Sequence, residues 1–462
     1  MPMKKPVNRP IRICLAATLL AAGLLRAGAV SASDSRSWDH RFTVPQLQED
    51  FRQARKEMET LHPALYEFTD KETFDRLFDA QVRRIEQPMT VLEFYRVLAP
   101  LVVQIGCGHS RLVTPDGFWD GTPKRMLPLG LTFLKGKAVV TRVYAEEDSV
   151  PRGSEITAVN GLPMSDIVTT LKSFTPADGF NDSGRSATLG ATFADMYALL
   201  YGFPEEFVLS YRAPGRDGEE RRVLPPVDRR TIPESRDERE KPTSSGDPNL
   251  DFEIVKERDT AVLTIQSLNY YPDADRRRFD SFIDQAFREI DQASIGNLIL
   301  DLRGNAGGNP FCTSHLLSYL ESRPVPYFAR QYGHGYESLS EPIPRATPPY
   351  AGKLFTLIDG GGFSSTGHLC ALLKYHRIGT FIGMETGGTY ECNDAARDVC
   401  LDNTRLRLRL ARETFTVAVE GMSRRTGVLP DHPVEPGIQD LLNGSDPVKE
   451  AAFRLIQESR SR

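Results

Sequence analysis

Two adjacent hydroxyls, Ser364 and Ser365, follow an Asp-Gly-Gly-Gly turn in KLFTLIDGGGFSSTGHLCALLKYHRIGTFIG, residues 353–383. A short apolar run, a sharp turn, a longer apolar segment and a second short run read as strand, turn, helix and strand. A serine where a glycine-rich turn enters a helix is held exposed, and the N–H groups of the first helical turn are free to face a developing negative charge. Such a hydroxyl can attack a carbonyl carbon, provided that a neighbouring group takes its proton. The plainer alternative is that one of the pair is a helix N-cap, a position serine favours.

Histidine is the usual proton acceptor near neutral pH. His109 stands between Gly108 and Ser110 in GCGHSRL, directly after a long apolar helical pattern, where flanking glycines let the backbone approach another segment closely. His368, one helical turn after Ser364, and His376 read instead as residues of a helix face. A third string, LILDLRGNAGG over residues 298–308, is a buried strand running into a glycine-rich loop. Taken alone, that loop is an ordinary strand-to-helix turn.

These groups need elements to position them. Residues 38–115 read as a helical region: apolar positions recur at helical spacing in VPQLQEDFRQARKEMETLHPALYEF and TVLEFYRVLAPLVVQI, with Pro63 ending the first and Thr90 capping the second. From 120 to 227 the pattern changes to short strands with one embedded helix, SDIVTTLKSF, and an apparent insertion near 175–203. Residues 228–249 are charged and rich in Pro and Ser, as in a solvated linker. From 250 to 440 strands alternate with helices, and 441–462 form a last helix capped by Ser445 or Asp446. The fold class expected is multi-domain α/β (α+β overall).

Composition narrows the partners. A chain of 462 residues with 40% apolar and 26% charged residues and a net charge of −5 has no basic field, so nucleic acid is not an expected partner. Lys4, Lys5, Arg9 and Arg12 precede an uncharged run from Ile13 to Leu25 and small residues ending at Ala29 or Ala32, the pattern of a signal peptide over residues 1–32. The expected location is periplasmic or secreted, with no membrane span after cleavage. Five cysteines then remain; Cys392 and Cys400 are close enough to close a small loop, while Cys107, Cys312 and Cys370 read as small buried hydrophobes. No Cys-x-x-Cys or His-x-x-x-His spacing suggests a metal, and no cofactor is expected.

The order Gly108-His109-Ser110, LILDLRGNAGG, Gly362-Phe363-Ser364 and Gly383-Met384-Glu385-Thr386-Gly387-Gly388 resembles the tail-specific or C-terminal processing serine protease family. The resemblance covers most of the mature chain. It implies a crotonase-like α/β core and Ser364 as nucleophile, since Ser364 lies nineteen residues before Gly383, the family's spacing. Many members carry a lysine twenty-five residues after the serine; Thr389 stands there. The tricorn-like branch uses the histidine of the Gly-His motif, which is His109, although Cys107 replaces the Asp that often precedes it. A glutamate before Gly427-Val428-Leu429-Pro430-Asp431 would orient the histidine: Glu420 is one candidate, Glu385 its rival, and Ser110 a further hydrogen-bonding group. The oxyanion would be met by the Ser365 N–H together with that of Gly307 or Gly308.

Gly153 to Gly161 also resembles the strand-turn of PDZ domains, which places Leu129, Gly130 and Leu131 in the loop that would hold a peptide end. The resemblance therefore implies a secreted or periplasmic serine peptidase acting on a peptide or protein. A catalytically inactive peptide-binding protein and an esterase or small-ligand carrier on the same fold remain alternatives, because fold does not determine substrate. Oligomeric state is not set by any of these features.

Overall fold

The computed structural model describes residues 38–123, 125–145, 149–232, 246–333 and 335–460. The segment read as a signal peptide and residues 233–245 of the charged linker lie outside the described residues. At the centre is a sheet, of six strands among the described residues, in the spatial order Leu250–Val255, Thr260–Ile265, Asn297–Asp301, Lys353–Ile358, Thr380–Gly383, His432–Pro433. The first pair is antiparallel and every later pair parallel. Parallel strands are covered on both faces, which is why TAVLTI and KLFTLI are nearly continuous apolar runs.

Alternation along the strands divides the core into two layers. Leu298 and Leu300 face the layer that holds Phe279, Ile283 and Phe287 of helix Asp273–Gln292, Leu316 of helix Pro310–Leu320 and Leu369 of helix Ser365–Tyr375. Ile299, Leu357 and Ile382 face Val448, Ala452 and Ile456 of the C-terminal helix Pro447–Arg460. Asp446 starts that last helix, its Oδ1 accepting from the Lys449 N–H at 3.0 Å. In such sheets functional loops follow the carboxyl ends of the strands. Here those loops are residues 302–309 and 359–364.

Helices Val44–Leu61, Lys71–Val82 and Val91–Val103 form the amino-terminal region. Thr90 and Glu93 cap the third reciprocally, at 3.2 and 2.7 Å. This region does not close its own core: Leu401, Leu406, Leu408 and Leu410 complete it from the far end of the chain. Strand Arg407–Leu410 pairs with Arg111–Val113, directly after the histidine loop.

The remaining module is an antiparallel sheet whose main path runs Leu129–Leu134, Lys137–Val143, Glu155–Val159, Phe207–Arg212, Glu220–Leu224. Helices Met164–Lys172 and Asp182–Tyr201 pack on it. The stretch expected as an insertion is mostly the second of these helices. Its Leu189, Phe193, Tyr197 and Ala198 fill the module's core beside Leu129, Leu131, Val140 and Phe207, so it is a structural member of the module.

Candidate active site

Ser364 occupies the N-cap position of helix Ser365–Tyr375, but its side chain makes no capping bond. Its backbone sits at φ 54°, ψ −127°, a conformation that costs an L-residue roughly 1–3 kcal/mol and persists only where the surroundings impose it. They do. Asp359 Oδ1 accepts from the N–H groups of Gly361 (2.9 Å) and Gly304 (2.8 Å), the Phe363 N–H donates to the Asn305 carbonyl (3.1 Å), and the Gly388 N–H donates to the Gly362 carbonyl (2.9 Å). The hydroxyl is thus turned out of the helix, and Ser364 Oγ lies 3.2 Å from His109 Nε2, across 255 residues of sequence.

His109 leaves helix Val91–Val103 by a short glycine-flanked loop, and its ring lies on that of Phe363, with centroids 4.6 Å apart and planes inclined by 31°. A Cβ on Gly108 would come within 2.6 Å of the Phe363 ring, so the close approach requires glycine there. Burial pushes the His109 pKa below its ordinary value. Asp394 opposes that shift, while Arg111 and Arg409 add to it. Asp394 Oδ2 stands 3.6 Å from the same Nε2 that faces Ser364. The neutral ring can accept the serine proton, and the cation that results has a carboxylate beside it. His109 Nδ1 is buried without a protein hydrogen-bond partner.

The carboxylates proposed from sequence lie elsewhere. Glu385 Oε1 accepts from the Gly427 N–H at 2.7 Å, which engages it in holding the closing loop. Glu420 is exposed beyond strand Glu413–Thr416. Asp394, the acid that the structure does bring to His109, ends strand Glu391–Asp394, and no motif marked it. Ser110 also differs from its expected role: its Oγ accepts from the Ala411 N–H at 3.1 Å, stitching the histidine loop to the strand beyond it. Thr389, in the lysine position, is buried and donates to the Ser423 carbonyl at 3.1 Å. His368 is buried against Tyr327, with a pKa pushed down to about 3 by burial, and His376 Nδ1 lies 3.8 Å from Glu321 Oε2, a helix-end contact.

The glycine loop approaches the nucleophile as expected, but its amides are engaged. Gly307, at φ +91°, lies so close that a Cβ would stand 2.9 Å from both Ser364 Cβ and the Ser365 nitrogen. Only glycine leaves open the space in front of the Ser365 N–H. The Gly307 N–H, however, donates to Asn305 Oδ1 (2.9 Å), and the Gly308 N–H donates to Ser365 Oγ (2.8 Å). Ser365 Oγ in turn lies 3.0 Å from the Gly308 carbonyl. In this conformation neither glycine offers a free oxyanion donor.

Leu129, Gly130 and Leu131 do not form an open peptide groove. Leu129 and Leu131 are core side chains, and helix Asp182–Tyr201 covers the strand: a Cβ on its Gly190 would lie 3.6 Å from the Leu131 carbonyl oxygen. The thiols of Cys107, Cys312, Cys370, Cys392 and Cys400 are all free, so Cys392 and Cys400 do not close a loop. Cys392 lies in the strand paired with Glu413–Thr416, whereas Cys400 ends one paired with Arg407–Leu410. Among the described residues no cluster of His, Cys, Asp and Glu could hold a metal, and no helix is long and apolar enough to cross a membrane.

Residues 259–434 match the model of peptidase family S41. Among solved structures, mature CPAF complexed with lactacystin is 15% identical, with a TM-score of 0.64 over 90% of this chain and 100% of that one. Mature CPAF alone is 14% identical, with a TM-score of 0.62 over 90% and 98%. The photosystem II D1 C-terminal processing protease is 16% identical, with a TM-score of 0.45 over 84% and 93%. The two CPAF structures establish a shared fold along nearly the whole described chain. No curated protein sequence matches.

Proposed function

We propose that the chain, whose residues 259–434 match the model of peptidase family S41, cleaves peptide bonds with Ser364 as nucleophile and His109 as general base. The observation that carries this reading is the 3.2 Å approach of His109 Nε2 to Ser364 Oγ, from loops 255 residues apart. Ser364 Oγ attacks the carbonyl carbon as its proton passes to Nε2. Asp394, beside that nitrogen, stabilises the imidazolium. Collapse of the tetrahedral intermediate breaks the C–N bond, and Nε2 returns the proton to the departing amine. Water, deprotonated by the same nitrogen, then hydrolyses the ester on Ser364.

The tetrahedral oxyanion forms in the space before the Ser365 N–H. A second donor becomes available when Ser365 Oγ rotates away and releases the Gly308 N–H. Because helix Asp182–Tyr201 covers the strand that would pair with a peptide end, substrate capture through that edge is not part of the reading. The exported location is part of it, resting on the pattern of residues 1–32.

Ser364→Ala should abolish both peptide hydrolysis and covalent labelling by a fluorophosphonate, with a loss on the order of 10⁴-fold or more in turnover. Retention of turnover by that variant would overturn the assignment. Sequencing the amino terminus of the protein recovered from an exported fraction tests the location, with a start at Val30 or Ser33 expected.

A further inference from the structure

Two features of the sequence have no part in the chemistry described so far: Cys107, where the family resemblance expects an acid, and the segment leading into helix Asp182–Tyr201. They meet in the structure. Asp178, from that segment, is 8% exposed, and its Oδ1 accepts from the Gly108 N–H at 2.8 Å. We propose that Asp178 is a positioning residue for catalysis, fixing the peptide unit before His109 so that Nε2 is presented to Ser364. The proposal rests on the roles given above to Ser364 and His109.

The histidine loop has few supports of its own. Its backbone bonds include Gly106 N–H to the Val103 carbonyl (3.1 Å) and Ser110 N–H to the Cys107 carbonyl (3.2 Å), while Gly106 receives the Gly179 N–H from outside (2.9 Å). Gly108 is enclosed between two foreign groups, since a Cβ there would lie 2.6 Å from the Phe363 ring and 3.4 Å from Asp178 Oδ1. The ring of His109 rests on that same Phe363. Removing the carboxylate would leave a buried N–H unpaired one residue before the base, and the loop would move to satisfy it. A shift of about 1 Å is enough to spoil a proton transfer over a single hydrogen bond.

Asp178 is itself held by the catalytic core. Asn181 Nδ2 donates to the Thr386 carbonyl (2.6 Å) while its Oδ1 caps the helix through the Gly184 N–H (2.7 Å), and Ser183 Oγ donates to the Glu385 carbonyl (2.8 Å). The Phe180 N–H reaches the Arg425 carbonyl at 3.2 Å. Residues 178–183 are therefore a strap, anchored behind the nucleophile turn and continuous with the helix that fills the sheet module. Charged and titratable groups facing the carboxylate are Glu67, Asp394 and the Cys107 and Cys392 thiols. Burial pushes its pKa up to about 7. Its role does not depend on that titration: Oδ2, which has no hydrogen-bond partner, takes the proton and Oδ1 accepts in either state.

The test compares Asp178→Asn, which keeps an acceptor at Oδ1, with Asp178→Ala, which has none. Asp178→Ala should lower kcat about tenfold or more with KM nearly unchanged, slow fluorophosphonate labelling of Ser364 to the same degree, and shift the imidazole NMR signals of His109, assigned with His109→Gln. Asp178→Asn should restore all three to within about threefold of the parent. If the alanine variant does not fold, Asp178→Ser, whose oxygen ends one bond short of Gly108, takes its place against Asp178→Asn. A folded alanine or serine variant with unchanged kcat and unchanged His109 signals would overturn the proposal, as would equal losses in the asparagine variant. Failure of the underlying reading is separate: it appears as turnover surviving Ser364→Ala in the parent protein, whereas the His109 signals report on Asp178 without any activity.

Discussion

Two glycine-bearing loops converge on Ser364 and are held in opposite ways. The loop at residues 302–309 is fixed from within its own domain: Asn305 Nδ2 donates to the Ile265 carbonyl (2.9 Å), Asn309 Nδ2 to the Tyr270 carbonyl (2.8 Å), and Asp359 receives the Gly304 N–H (2.8 Å). The histidine loop at residues 106–109 is fixed from outside, by Asp178 and Gly179 of the strap and by the Phe363 ring. The half of the site that handles the oxyanion is therefore built into the parallel sheet. The half that handles the proton depends on the sheet module and the helical region being docked. A local opening of the second kind needs only the undocking of the strap and leaves the parallel sheet intact.

The largest effect that would sharpen this contrast is expected from Gly307→Ala. Its methyl would fill the space before the Ser365 N–H, lowering turnover and labelling by about 10²–10³-fold, the range for loss of an oxyanion donor, while the His109 NMR signals stay in place. Movement of those signals would show that the loops are not held independently. Hydrogen exchange addresses the contrast directly: the Gly108 amide should exchange at least about tenfold faster than the Gly307 amide, and equal rates would break it.

A smaller effect is expected at Asp394. Asp394 raises the His109 pKa against the larger effect of burial, so Asp394→Asn should lower it further. The acid limb of kcat/KM, already below the ordinary histidine range, should move to lower pH, and kcat above it should fall about fivefold as the imidazolium loses its partner. A limb that moves upward would contradict the assigned geometry. The smallest effect concerns Ser365→Ala, which releases the Gly308 N–H and should speed labelling of Ser364 about threefold; slowing would mean that the hydroxyl aligns the donor rather than blocking it.

Much of the architecture was legible because periodicity and punctuation are local. The strands around LPLGLTFLKG and KAVVTRVYA, the Thr90 cap and the strand-turn-helix at Ser364 follow from residues adjacent in sequence. Helix Asp182–Tyr201 was not legible. DSGRSATLGATFADMYALLY holds two glycines and several β-branched or hydroxyl residues, all poor helix formers, and it is helical because it packs against the sheet. Gly190 is part of the reason, allowing the helix to come close to the Leu131 backbone. The peptide-end loop expected at Leu129–Leu131 is instead part of strand Leu129–Leu134, which this same helix covers.

At the site itself, residue types offered a serine pair at a glycine-rich turn and a second glycine loop, and it was the resemblance to the processing-protease family that singled out Ser364, His109 and the Gly307–Gly308 pair. Tertiary structure alone decided which partners they have. Asp394 rather than Glu385 or Glu420 stands at His109, Ser365 Oγ occupies the Gly308 amide, and Asp178 supports the loop. Each of these depends on groups brought from distant segments by strand pairing and domain packing. A hydrogen bond is satisfied by whatever atom lies within about 3 Å, and separation along the chain carries no information about that.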